Sequence, residues 1–159
     1  MSKTVFFKRA HKSATTPVYA TEESRGADVT AVSREYSVND AGVPIVVYDT
    51  GIALQPGKTH TVLLLPNSRI GKDVDLRLAN SIGLIDNDYR GTLKMVFHGA
   101  HMPAEERRSQ KHYQVGDVIG QILIITPSGQ RPTFSERAKL DETKRGTGGF
   151  GSTKHDEEE

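Results

Sequence analysis

The segment Arg145-Gly146-Thr147-Gly148-Gly149-Phe150-Gly151-Ser152-Thr153 sets four glycines among an arginine, a phenylalanine and three hydroxyl residues. Glycine lets backbone N–H groups approach anionic oxygens closely and turn through positive φ. Arg145, Ser152 and Thr153 add donors of the kind that hold phosphate. Phe150 is the one aromatic in this stretch, and an aromatic on a polar arm needs a flat or apolar surface to cover. A nucleobase supplies such a surface, with stacking worth about 1–3 kcal/mol. A plain linker accounts for the glycines but for neither the arginine nor the phenylalanine. A second candidate is Gly83-Leu84-Ile85-Asp86-Asn87-Asp88-Tyr89-Arg90-Gly91, which brings two carboxylates, a tyrosine and an arginine to an expected hairpin tip. An Asn-Asp turn uses its carboxylates to bond local backbone. Beside a phosphate-binding arm, one of them can instead activate water.

Elements are needed to hold these groups. Short runs rich in Val, Ile, Leu and Thr recur between Gly, Pro, Asn and Asp, and helical periodicity is scarce. Strands are expected near Val5–Lys8, Ala27–Val32, Ile45–Tyr48, Gly51–Leu54, Thr59–Leu65, Gly91–Phe97 and Val118–Thr126, with turns at Gln55-Pro56-Gly57 and Asn87-Asp88. Leu93, Met95 and Phe97 share one face at period two, as a half-buried strand requires. Val62 to Leu65 is continuously apolar and is expected to be buried on both faces. Asp73–Asn80 is the one stretch that could form a helix. The class this points to is all-β: a sandwich, jelly roll or barrel. His98 to Gln114 is polar and aperiodic, so it reads as a surface loop. From Lys144 onward the chain is glycine-rich, then acidic, and is expected to order only on binding. The division is thus a β-rich domain over residues 1–143 and an arm over residues 144–159.

The whole chain limits the possibilities further. Its 159 residues suit one domain. Its net charge of +1 comes from 21 basic and 20 acidic residues with no long basic block, which argues against a nucleic-acid footprint and leaves a small anionic ligand open. The absence of cysteine excludes disulfides and thiol catalysis. No apolar run approaches the roughly 20 residues a membrane span needs, and Met1 to Lys12 does not read as a signal peptide. The cytoplasm is the expected compartment, with the nucleus or an organelle matrix as alternatives. At 35% hydrophobic residues and no tryptophan, the core is thin enough to lean on a subunit interface.

From Pro17 to Thr153 the chain resembles the trimeric all-β dUTP pyrophosphatases. Arg25-Gly26-Ala27-Asp28-Val29 resembles their first motif and Pro66-Asn67-Ser68-Arg69 a variant of the second, preceded by the matching stretch Thr50 to Leu54. Asn80 to Gly91 is similar to the third, Val115 to Gln121 to the fourth, and the arm to the fifth. The resemblance implies a jelly-roll or distorted-barrel subunit, a homotrimer in which three subunits build each shared site and the arm crosses onto a neighbour, and cleavage of dUTP to dUMP and pyrophosphate with Mg²⁺. It implies Asp86 as the base that activates water and Tyr89 as the ring packed on the deoxyribose. Asn80, Gly83 and the adjoining strand would read uracil, with Met95 on the pocket floor. Asp28 would hold Mg²⁺ through water. Ser68 and Gln121 would bind phosphate oxygens, Arg145 the terminal phosphate, and Phe150 with Gly151 and Ser152 would close over the nucleotide.

The chain departs from the pattern where Asn67 stands in place of the second motif's arginine, so Arg69 is the candidate to supply that contact, provided that both lie on a strand. Three rival readings exist. Asp49-Thr50-Gly51 imitates the triplet of retroviral-type aspartic proteases, with Ile82-Gly83-Leu84 as a second signature. The nucleotide site could belong to a regulator without turnover. A dCTP deaminase of the same superfamily would lack the complete fifth motif. His98 and His101, with Glu105 and Glu106 nearby, could suggest a metal, but they fall in a loop with no rigid element to fix ligands.

Overall fold

In a computed structural model, the structure describes residues 4–99 and 112–149. Two sheets make up the subunit. The first runs β11 (Thr133–Glu136), β1 (Thr4–Arg9), β5 (Pro44–Gln55), β9 (Thr92–Gly99) and β7 (Leu76–Leu78), with β4 (Ser33–Val38) also paired to β5. The second runs β2 (Val18–Tyr19), β3 (Gly26–Thr30), β10 (Val118–Ile125), β6 (Thr61–Leu65) and β8 (Gly83–Ile85). All pairings are antiparallel except β1 with β11. The described residues contain no α-helix.

One core is filled from both sheets: Val5, Phe7, Tyr48, Leu93, Met95 and Phe97 from the first, Val29, Val62, Leu64, Ile119 and Ile122 from the second. Alternation places them there. Along β9 the residues Leu93, Met95 and Phe97 are buried while Lys94 lies exposed. Along β6, Val62 and Leu64 are buried but Leu63 and Leu65 only half-buried, so this strand has one core face rather than the two expected.

The two expected segments Ile45–Tyr48 and Gly51–Leu54 form a single twelve-residue strand. Its register against β9 shifts between Asp49 and Ala53, and Gly51 sits there at φ +65. A side chain at Gly51 would be strained by that backbone and would also meet His11 Cβ at 2.8 Å. The irregularity lets one strand serve both β4 and β1 as partners.

Asp73–Asn80 is not a helix. A 3-10 turn over Ser68–Gly71 is followed by β7, in which Leu76 is buried, Arg77 exposed and Leu78 half-buried. That is the period of a strand, and the edge of β9 supplies its hydrogen bonds. Tyr113, at the end of the segment read as a polar loop, is 1% exposed and packs edge-on against Tyr48 and Phe97. The Tyr48 hydroxyl donates to the Tyr113 carbonyl at 2.9 Å, and burial pushes the Tyr48 phenol up to about 12.

Asn67 ties this region together. Its Oδ1 accepts from the Arg69 N–H at 3.0 Å and from the Tyr113 hydroxyl at 3.3 Å, while its Nδ2 donates to the Val118 carbonyl at 3.1 Å. The asparagine therefore caps the 3-10 turn and pins it to β10. Asn67→Ala is expected to destabilise the subunit by about 1–3 kcal/mol, because capping and buried partners are lost together. Urea unfolding would show this as a lower midpoint at unchanged slope.

Candidate active site

The hairpin between β8 and β9 builds the site. After Ile85 the chain leaves β8 at Asp86, turns over Asn87 and Asp88, and closes with the Tyr89 N–H on the Asp86 carbonyl at 3.1 Å. The Asn87 side chain donates to the Lys58 carbonyl at 3.0 Å, which fixes the tip to the neighbouring loop. Tyr89 folds over Gly91, where any Cβ would overlap its ring, and its hydroxyl donates to the Thr92 carbonyl at 3.0 Å. Burial and the nearby Asp49 carboxylate raise the Tyr89 phenol above its ordinary value.

Beside this hairpin lies a cleft of about 390 Å³, within the range of small-ligand sites. Asn80, Gly83, Asp86, Tyr89 and Arg145 all line it. The turn that presents Asn80 is held by Ser81 at φ +60, a left-handed conformation sparsely used by residues other than glycine. β8 is the last strand of its sheet, so its outer main-chain edge is open to a ligand with paired donors and acceptors.

Met95 does not line the cleft. It is 1% exposed and packs on Gly120, where an added Cβ would come within 2.6 Å of its sulfur. Period two explains the discrepancy: Lys94 and Val96 face the cleft, so their neighbour Met95 faces the core. Lys94 was missed because a lysine on a half-buried strand reads as solvated. Its Nζ lies 3.8 Å from Asp49, which also accepts from Thr92 Oγ1 and the Gly51 N–H, both at 2.7 Å. Asp49 is thereby committed to holding β5 and β9 at their irregularity, which leaves the protease-like triplet a structural role.

The root of the arm is ordered against the hairpin. Arg145 forms an ion pair with Asp86, lies 3.7 Å from Asp88, and sets its guanidinium 5.6 Å from the Tyr89 ring centre. Phe150, Gly151 and Ser152 lie outside the described residues.

A second group stands away from the cleft. Asp28 on β3 and Gln121 on β10 are cross-strand neighbours, and the Gln121 amide donates to the Pro66 carbonyl at 3.4 Å, next to the turn that carries Ser68. None of Asp28, Ser68, Arg69 or Gln121 lines the cleft. Arg69 lies on the 3-10 turn rather than a strand, and its Nε donates to Asp73 at 2.9 Å. The shared strand face that would let it stand in for an arginine at position 67 is absent. Burial raises the Asp28 carboxyl above its ordinary value, and no salt bridge among the described residues offsets it.

The described residues contain no cluster of three or more side chains that could hold a metal. What Asp28 offers is one partly buried carboxylate, which suits a hydrated Mg²⁺ whose other ligands are water and phosphate. Because desolvation penalises its ionised form, the folded subunit loses stability as pH rises from the unfolded value of 3.8 through the raised folded one. Asp28→Asn is therefore expected to leave the metal-free protein at least as stable at neutral pH, with a Tm no lower than that of the wild type. It is also expected to abolish any stabilisation that added Mg²⁺ gives in the presence of nucleotide. Thermal melts with and without Mg²⁺ check both.

The subunit is thus all-β, with a strand-edge cleft, a carboxylate–tyrosine hairpin and the root of a glycine-rich arm beside them. The dUTPase family model matches residues 12–154. The deoxyuridine 5'-triphosphate nucleotidohydrolase of Helicobacter pylori (strain P12) is 33% identical over 92% of this chain and 93% of its own. The enzyme of the same name from Pseudomonas fluorescens (strain SBW25) is 36% identical over 85% and 84%. The chain belongs to the dUTPase family. Among solved structures, a mutant dUTPase of phage 80alpha superposes with a TM-score of 0.65 at 19% identity, covering 96% of this chain and 100% of that one. A mutant dUTPase of the S. aureus phage phi11, described with a structural Mg(II) ion, superposes with a TM-score of 0.61 at 16% identity, covering 87% and 97%. At these identities the likeness speaks for the fold alone.

Proposed function

We propose that this chain hydrolyses dUTP to dUMP and pyrophosphate. The observation that carries the reading is the convergence of Asn80, Gly83, Asp86, Tyr89 and Arg145 on one cleft whose wall is an open strand edge. Asn80 and the main chain of β8 read the uracil edge. Tyr89, held over Gly91, packs on the sugar and leaves no room for a 2′-hydroxyl. Asp86 takes a proton from water as the water oxygen bonds to the α-phosphorus and the bond to the bridging oxygen of the β-phosphate breaks. Pyrophosphate leaves. Arg145, paired with Asp86 in this structure, moves to the terminal phosphate, which frees the carboxylate to act as base.

The phosphates extend toward Asp28, Ser68 and Gln121. Asp28 would hold Mg²⁺ through water, and the bound ion would supply charge neutralisation to the phosphates. Within one subunit these residues lie apart from the cleft that binds the base, as a site shared between subunits of a homotrimer requires. Leu84, Ile82 and Val18, at 65%, 54% and 58% exposed, are the kind of apolar surface such an assembly covers. Phe150, Gly151 and Ser152 complete the closure over base and phosphate.

The test is selectivity. Purified protein with Mg²⁺ should turn over dUTP at least about 10²-fold more efficiently than UTP, because a 2′-hydroxyl clashing with a packed ring forfeits several kcal/mol. Equal kcat/KM on the two nucleotides would remove the role given to Tyr89. Size-exclusion chromatography with light scattering tests the trimer, and a monomer with full activity would end the shared-site reading.

A further inference from the structure

Asp49-Thr50-Gly51, the triplet that imitates a protease signature, sits where β5 carries more residues than its neighbour. Asp49 pairs with Lys94 and Ala53 with Thr92, so Thr50, Gly51 and Ile52 stand opposite Leu93 alone. The triplet satisfies this irregularity from within. Asp49 Oδ1 accepts from the Gly51 N–H at 2.7 Å, and Thr50 Oγ1 donates to the Leu93 carbonyl at 2.9 Å. The same Oγ1 accepts from the Ile52 N–H at 3.2 Å. None of these bonds uses the second oxygen of Asp49.

That oxygen serves the site. Asp49 Oδ2 accepts from Thr92 Oγ1 at 2.7 Å, and the Thr92 carbonyl accepts from the Tyr89 hydroxyl at 3.0 Å. Lys94 Nζ, 3.8 Å from Oδ2, balances its charge. Gly91, next to Thr92, leaves the ring its room, since a Cβ there would come within 2.4 Å of the hydroxyl oxygen. Tyr89 is only half-buried, so its hydroxyl bond tethers the end of the ring farthest from the backbone. Burial, and after it the Asp49 carboxylate, hold the phenol above its ordinary value, which keeps the hydroxyl a proton donor.

We propose that Asp49 and Thr92 are positioning residues for sugar selectivity: Asp49 holds Thr92, and the Thr92 carbonyl holds the Tyr89 ring by its hydroxyl. A tethered ring keeps its face where a deoxyribose fits and a 2′-hydroxyl collides. A ring free to tilt yields that space, and a misplacement of about 1 Å is enough to change rates by about 10²-fold. The selectivity rests on the proposed dUTP hydrolysis; the tether on Tyr89 does not.

Two measurements on the full-length protein decide it. Thr92→Val keeps the shape of the side chain and removes the donor to Asp49, while Thr92→Ser keeps the donor. In nucleotide-free protein, nitration by tetranitromethane is followed at each tyrosine by peptide mass spectrometry. Tyr36, 58% exposed, reports full reactivity, and Tyr48 and Tyr113, at 0% and 1%, report an intact core. Thr92→Val should speed nitration of Tyr89 by about fivefold or more with Tyr48 and Tyr113 still protected, because reactivity tracks the untethered population. Thr92→Ser should return it to the wild-type rate. Asp49→Ala should act as Thr92→Val does, and Thr92→Val decides alone where Asp49→Ala fails to fold. Wild-type nitration of Tyr89 in Thr92→Val overturns the proposal. So does equal acceleration at every tyrosine, which would make Thr92 a general support of the fold.

The second measurement is kcat/KM on dUTP and on UTP. Thr92→Val should lower the dUTP-to-UTP ratio by about tenfold, with Thr92→Ser close to wild type. An equal loss on both nucleotides, with the ratio unchanged, would contradict a role in selectivity. A wild-type protein without dUTP turnover would sink the functional reading, and nitration would then judge the tether.

Discussion

Asp86→Asn is expected to lower kcat on dUTP by about 10²–10⁴ while leaving nucleotide affinity close to wild type. The substitution keeps the side chain's shape and removes its basicity. Nothing in the fold depends on the charge: Asp86 is 51% exposed, and its ionic partner is Arg145 on the arm, not a residue of either sheet. Turnover is read by pyrophosphate release, and affinity by calorimetry with a non-hydrolysable dUTP analogue. A wild-type kcat would move the base elsewhere, with Asp88, also within reach of Arg145 at 3.7 Å, the next residue to test. A fall in affinity with kcat intact would make Asp86 a binding group only.

Ending the chain at Lys144 is expected to reduce kcat/KM by about 10²–10³ without unfolding the subunit. The truncation removes Arg145, whose charge-assisted bonds to a phosphate are worth about 1.5–3 kcal/mol. It also removes Phe150, whose stacking on a base is worth about 1–3 kcal/mol. The two act on one closure and need not add in full. The fold should survive because the buried hydrophobic residues among the described ones run from Val5 to Leu140, all before the cut. Matching circular dichroism spectra and a melting temperature within a few degrees of the full chain would establish that. Full activity in a folded, truncated protein would contradict the arm's role as a lid.

Much of this was legible in the sequence for physical reasons. Long strands with clean alternation announced themselves: β9 through Leu93, Met95 and Phe97, and β10 through its run of Ile and Leu. The hairpin tip was readable because Asn-Asp turns and Tyr-Arg-Gly are local chemistry. The misses share a cause, which is that pairing partners decide what local composition does not. Ser33–Val38 is largely polar and exposed, and is a strand because β5 offers it an edge. Leu76–Leu78 has only three residues of pattern, too few to outweigh a helical reading of its surroundings. Tyr113 was hidden in a polar segment, and only the aromatic cluster with Tyr48 and Phe97 explains its burial.

The same logic separates the site residues. Met95 was assigned to the right strand but the wrong face, an error that one-residue alternation makes easy. Asn67 looked like a lost phosphate contact. Its three bonds to Arg69, Tyr113 and Val118 show a structural task, and Arg69 stands on the 3-10 turn, paired with Asp73, rather than on a strand.

Turning over dUTP with Mg²⁺ in heavy-oxygen water, and weighing both products, tests the central claim most directly. Attack by water on the α-phosphorus predicts dUMP carrying one heavy oxygen and unlabelled pyrophosphate. Label in the pyrophosphate would place the attack on the β-phosphorus, and nucleotide binding with no release of pyrophosphate would show a binder rather than a hydrolase.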